Sequence, residues 1–170
     1  GTSTLMSGGD MLIDVRDGDL TVLDSTIMLA DHGDLQITLH DGLLTSIGTT
    51  EIAADGVRIE LETVDRSVSL SGATSIVADE SDLGMKLVQG NISMSGKTTL
   101  TAKSNVNAII DYAGNISVSG VTVINATDDN VMLDTETGDM SFSDKTSISS
   151  GTDTVILIGE GDLSMQAATT

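Results

Sequence analysis

The heptapeptide GNISMSG at Gly90–Gly96 returns as GNISVSG at Gly114–Gly120. Cut at that same interval from Gly18, the chain falls into lines that begin GDLTVLDSTIML, GLLTSIGTTEIA, RSVSLSGATSIV, GNISMSGKTTLT and GNISVSGVTVIN. These lines cover 18–41, 42–65, 66–89, 90–113 and 114–137. A sixth, GDMSFSDKTSIS, covers 138–160 and is one residue short; residues 161–170 open another line and 1–17 close an earlier one. A fixed period of about 24 residues marks a stacked repeat, in which each unit completes its core against its neighbours.

The columns show what is stacked. The ninth holds Thr in every line: Thr2, Thr26, Thr50, Thr74, Thr98, Thr122, Thr146 and Thr169. Two places on stand Met28, Ile52, Ile76, Leu100, Ile124 and Ile148, and two further on Ala30, Ala54, Ala78, Ala102 and Ala126. Alternation of this kind is the period of a strand. It recurs at Leu20/Val22, Val68/Leu70, Ile92/Met94, Ile116/Val118 and Met140/Phe142, and in a third segment at Met11/Ile13/Val15, Leu35/Ile37/Leu39, Ile59/Leu61 and Leu83/Met85/Leu87. Gly, Asp, Asn and Ser, which tolerate turn dihedrals, fill the gaps, and Gly48, Gly72, Gly96 and Gly120 share one corner. No helical pattern is present.

Three short strands per line predict an all-β, single-chain parallel β-helix (a β-solenoid). Residues 1–170 form one continuous segment of about seven coils, without caps. Strands of neighbouring coils pair at about 4.8 Å, so the rod is roughly 34 Å long. Crossovers between parallel strands turn right-handed, and that hand is expected here. Composition agrees: the chain has no Pro, which would remove a ladder donor, and its aromatics are Phe142 and Tyr112 alone. Aliphatic residues and Thr suit a narrow space between pleated strands. An antiparallel sandwich of short strands is the rival fold, but it gives no reason for a column of Thr.

Charge limits the partners. With 26 acidic against 7 basic residues, a net charge of −19, the chain is unsuited to nucleic acid or to an anionic membrane surface. No apolar run is long enough to insert into a membrane. There is no cysteine, which fits a protein stabilised by repetition rather than by disulfides. The repeat columns are legible to both ends, with no polar cap over the end coils. The expected partners are therefore the continuing solenoid or other copies of the chain, end to end and side by side.

Several surfaces are candidates for binding. One outward face carries Ser69, Ser93, Ser117 and Ser141, with Ser71, Ser95, Ser119 and Ser143 two residues on. Flat hydroxyl-bearing faces suit glycan contact or simple solvation. Asp31, Asp55 and Asp79 stack at the corner after the Ala column and are Ca²⁺ candidates, since Ca²⁺ takes several hard oxygen ligands; no other cofactor is expected. Leu23, Ile27, Leu29, Leu43, Ile47, Ile110, Val123 and Met132 read as outward apolar positions, of the kind that mark contacts. His32 and His40 lack a zinc spacing and read as surface residues. Catalysis is not expected: the corners are too short to build a cleft, Arg16, Arg58 and Arg66 fall in different columns, and no nucleophile triad or phosphate loop is present.

The phrases GDLTV, GNISMSG and GDLSM, each with its short Thr/Ile strand, resemble the β-solenoid shafts of large bacterial secreted proteins. Filamentous-haemagglutinin-like adhesins and autotransporter passengers are the nearest families, though the period is longer than is typical of haemagglutinin shafts. The resemblance implies an extracellular or cell-surface, non-enzymatic rod. The expected function is a structural segment of an adhesin, stalk or matrix fibre. The alternatives are a glycan- or Ca²⁺-binding surface module and a phage tail-spike shaft.

Overall fold

The computed structural model describes residues 1–62 and 66–166. Among them the secondary structure is strand alone, and the strands wind as a parallel β-solenoid of about seven turns. Every strand pairing is parallel. Two sheets result, one of twelve strands and one of seven.

Each coil has three faces. The first is formed by Val68–Leu70, Ile92–Met94, Ile116–Val118, Met140–Phe142 and Leu163–Met165. The second is formed by Ala73–Ala78, Lys97–Ala102, Val121–Ala126 and Lys145–Ser150. Both belong to the larger sheet, because in two coils the chain runs through both faces as one strand, Leu20–Ala30 and Leu44–Ala54. In those coils the three expected strands are thus two. The third face is the smaller sheet, from Met11–Val15 to Thr154–Glu160.

The bend between the first two faces turns on a residue with positive φ, which follows Ser71, Ser95, Ser119 or Ser143 in the coils with separate strands. Asp24, Gly48, Gly72, Gly96, Gly120 and Asp144 succeed one another in it, all with positive φ between 60° and 109°. A Cβ on Gly96 would stand 2.4 Å from the Gly72 carbonyl oxygen, and one on Gly120 would stand 2.3 Å from that of Gly96. Glycine recurs where φ is 80° to 109°, because a Cβ there would run into the coil below. Asp24 and Asp144 hold the bend at φ 62° and 60°, in the left-handed region that Asp tolerates.

Alternate residues of every face point into one aliphatic core. Ile52, Ile76, Leu100 and Ile124 are in register and buried, as are Val68, Ile92, Ile116 and Met140. Burying each such side chain contributes about 1.5–3 kcal/mol. Equivalent positions keep equivalent shapes because each side chain packs on the one below it. Phe142 is accommodated over Val118, fully buried. Ile110 belongs to this core, 1% exposed, contrary to its expected outward position. Val106, Ala108 and Ile110 form the inward set of their strand, so Asn107 and Ile109 face out.

The repeat interval does not hold everywhere. On the first face Leu44, Val68, Ile92, Ile116 and Met140 follow one another at the regular interval, and Leu163 comes one position early. On the third face Leu35 pairs with Val57 where a strict count gives Ile59, and Val57 pairs with Leu83 where it gives Ser81. The corner before that face explains the slip. It is 55–56 in one coil but 31–34 and 79–82 in its neighbours, and the missing length returns after Leu61.

The same corner displaces Thr2. It pairs with Ser25, and Ser3 takes the place opposite Thr26. The corner 8–10 is one residue shorter than 31–34, while Met11 keeps its regular pairing with Leu35. The strand before the corner is therefore one residue out of phase. Thr169, read as the last member of the Thr column, lies outside the described residues.

Candidate functional site

The Thr column faces inward. Thr26, Thr50, Thr74, Thr98, Thr122 and Thr146 stack in register and are all buried. A buried hydroxyl needs a partner, and the bend supplies one. Thr26 donates to the Leu23 carbonyl at 3.0 Å, Thr122 to that of Ser119 at 3.2 Å and Thr146 to that of Ser143 at 3.1 Å. The methyl fills the core while the hydroxyl ties down the turn. Ser46, an apolar column's one polar member, is buried beside them, 2.8 Å from the Thr50 hydroxyl and 3.2 Å from that of Thr74. The Thr residues are structural parts of the rod, with no surface to offer a ligand.

The serine columns divide. Ser69, Ser93, Ser117 and Ser141 are in register, half-buried, on the outer side of the first face. Ser141 donates to Ser117 at 3.2 Å. Ser71, Ser95, Ser119 and Ser143 leave that face and enter the bend. Their amides donate to Ser46, Leu70, Met94 and Val118 of the coil below, and their carbonyls accept the Thr hydroxyls. Both serine columns are half-buried, one on the first face and one in the bend, where Ser71 and Ser119 also donate their hydroxyls to the backbone of the coil below.

The aspartates of the second corner are not gathered into a cage. The Asp55 amide donates to the Gly33 carbonyl, which sets Asp55 beside Gly33 and Asp34, past Asp31. Asp79 does stand over Asp55, its amide donating to Ala54. In the next coil Lys103 reaches back to Glu80 at 2.5 Å. That hydrogen bond and the Glu80 charge raise the Lys103 pKa above its usual value. A protein cation thus serves this acidic corner. Among the described residues no three His, Asp or Glu side chains converge as metal ligands.

Two ladders of short amide and carboxylate side chains line the second and third corners. Asn91 Oδ1 accepts the Asn115 amide at 2.9 Å, Asn115 Oδ1 the Asp139 amide at 2.7 Å, and Asp139 Oδ1 the Asp162 amide at 2.9 Å. Across the molecule Asp82, Asn105 and Asn130 accept the amides of Asn105, Asn130 and Asp153. Each side chain satisfies a turn amide of the next coil, which would otherwise find no strand partner. These residues look like turn formers in sequence. Their role as coil-to-coil clamps is detectable there only in the Asn91–Asn115 repetition.

Ion pairs bridge the third corner. His40 Nε2 lies 2.8 Å from Asp14 Oδ1 in the coil below, and Nδ1 lies 2.6 Å from Glu62 Oε2 in the coil above. Arg66, which stands where other lines begin with Gly, pairs with Asp41. His32 is exposed beside Asp31 at 3.8 Å. Spacing does not distinguish His40 from His32, because the partners of His40 come from other coils.

The outward apolar residues form small groups. Leu23 and Ile47 are stacked in register, and both are about half exposed. Val121 and Val123 lie on the second face.

A hollow of about 390 Å³ lies on the third face, over Gly84 and beside Gly56. Its floor is bare where Gly84 carries no side chain, and the short corner 55–56 notches its edge. An isolated Gly within a strand pattern is the signal that would have found it.

No protein-family model, curated protein or solved structure matches the chain.

Proposed function

We propose that the chain is a structural rod: a length of solenoid shaft from an extracellular adhesin, stalk or matrix fibre, whose task is spacing and load-bearing. One observation carries this reading. In-register parallel pairing continues without a break through every described coil on the first and second faces, and side-chain ladders at the corners repeat it. Each hydrogen bond has a modest net value of about 1 kcal/mol, but stacked coils open only together with their neighbours.

The architectural likeness to haemagglutinin-type shafts agrees with an acidic, cysteine-free rod outside the cell.

Immuno-electron microscopy on cells that make the protein tests the proposal. Antibody raised against this chain should decorate thin projections at the cell surface. Label confined to the cell interior would refute the reading.

A further inference from the structure

The hollow on the third face has two separate causes. The corner 55–56 is shorter than its neighbours 31–34 and 79–82, so the rod's edge is notched there. Gly84 then leaves the floor bare, in an outward column that reads Gln36, Arg58, Gly84 and Asn107 from coil to coil. Unlike the glycines of the bend, Gly84 does not have a positive φ. A Cβ built on it would meet nothing within 4 Å. Neither conformation nor crowding demands glycine, and glycine in a strand interior is destabilising. What its lack of a side chain does is open this groove.

The groove's chemistry narrows the ligand. Arg58 and Lys86 stand beside Gly84, but Glu60 and Asp111 pair with them, and Asp34 and Asp82 lie on the rim. An anionic ligand would meet these carboxylates, and a bare cation would meet the two basic groups. No aromatic ring lines the hollow to hold a flat apolar ligand. A peptide strand would find no partner for its backbone, because the floor is a sheet face whose own amides are spent in the ladder. What remains is a ligand whose groups both donate and accept. Gln36 and Asn107 can both donate and accept, and Arg58 can donate. Gln36 and Arg58 stand one coil apart, about 4.8 Å, and Asn107 two coils from Arg58 across Gly84. The volume is at the small end of ligand sites, which run from about 300 to 1,000 Å³.

We infer that this groove binds a short stretch of neutral oligosaccharide lying along the rod, with a sugar ring seated over Gly84. The site is distinct from the serine column and does not depend on the rod reading.

Fluorescently labelled linear hexasaccharides of a β-glucan, an α-glucan and a mannan, with a polyuronate of equal length, supply the test by thermophoresis on the whole chain. At least one neutral chain should bind. Gly84→Gln, which fills the open floor, should weaken it about tenfold or more, while Ser141→Ala on the first face should leave it unchanged. Far-UV circular dichroism checks the fold, and if Gly84→Gln does not fold, Asn107→Ala takes its place with the same expectation. Binding by none of the neutral chains, tighter binding of the polyuronate, unchanged affinity in the groove variant, or an equal loss in Ser141→Ala would each overturn the inference.

Discussion

The Thr98 hydroxyl donates to the Ser95 carbonyl at 3.3 Å, three residues back across the bend, with its methyl group in the core. Val would keep the shape and lose the donor, leaving a half-buried carbonyl without its partner. Thr98→Val should cost about 1–3 kcal/mol in urea unfolding, and Thr98→Ser less, since it keeps the bond. Equal losses in the two variants would show that packing alone explains the column.

Gly96 and Gly84 form a matched pair. Ala at Gly96 must adopt φ near +80° and place its Cβ 2.4 Å from a carbonyl oxygen of the coil below. The dihedral alone costs roughly 1–2 kcal/mol, and the contact adds to it. Ala at Gly84 meets open space and should stabilise the chain by about 0.5–1 kcal/mol. Thermal melts of the two variants should move in opposite directions.

Asn115 joins two coils by accepting the Asp139 amide at 2.7 Å. Asn115→Ala should cost about 1 kcal/mol and speed hydrogen exchange at the Asp139 amide while leaving strand amides of distant coils protected. Uniformly faster exchange along the rod would mean that the clamp is global rather than local.

Lys103 titrates above its ordinary range because Glu80 holds the charged form. A raised folded-state pKa stabilises below the unfolded value and is lost as pH climbs through the folded one. The contribution is thus present at neutral pH and disappears in strong alkali, and it is small because the ammonium is exposed to solvent. NMR titration of the Lys103 side chain should show a downward shift in Glu80→Gln; an identical curve would remove the pair.

Most of the architecture is legible in the sequence because the solenoid writes its geometry into the columns. Ile92 stacks on Val68 and carries Ile116, so each must resemble the others. What escapes is set by corner length. A strict count aligns Ile59 with Leu35, whereas Val57 takes that place. Thr2 falls out of its column for the same reason. The serine pairs read alike in sequence, yet one member enters the bend through backbone bonds that side-chain type does not reveal. The groove escapes because its floor is defined by an atom that is not there.

The corner that varies from 55–56 to 79–82 while the faces on either side stay paired has a practical meaning. It is a natural splice point. Foreign peptides displayed there, one per storey, would be held at fixed height along a stiff mast, so the molecule could be made into a ruler for spacing whatever is hung upon it.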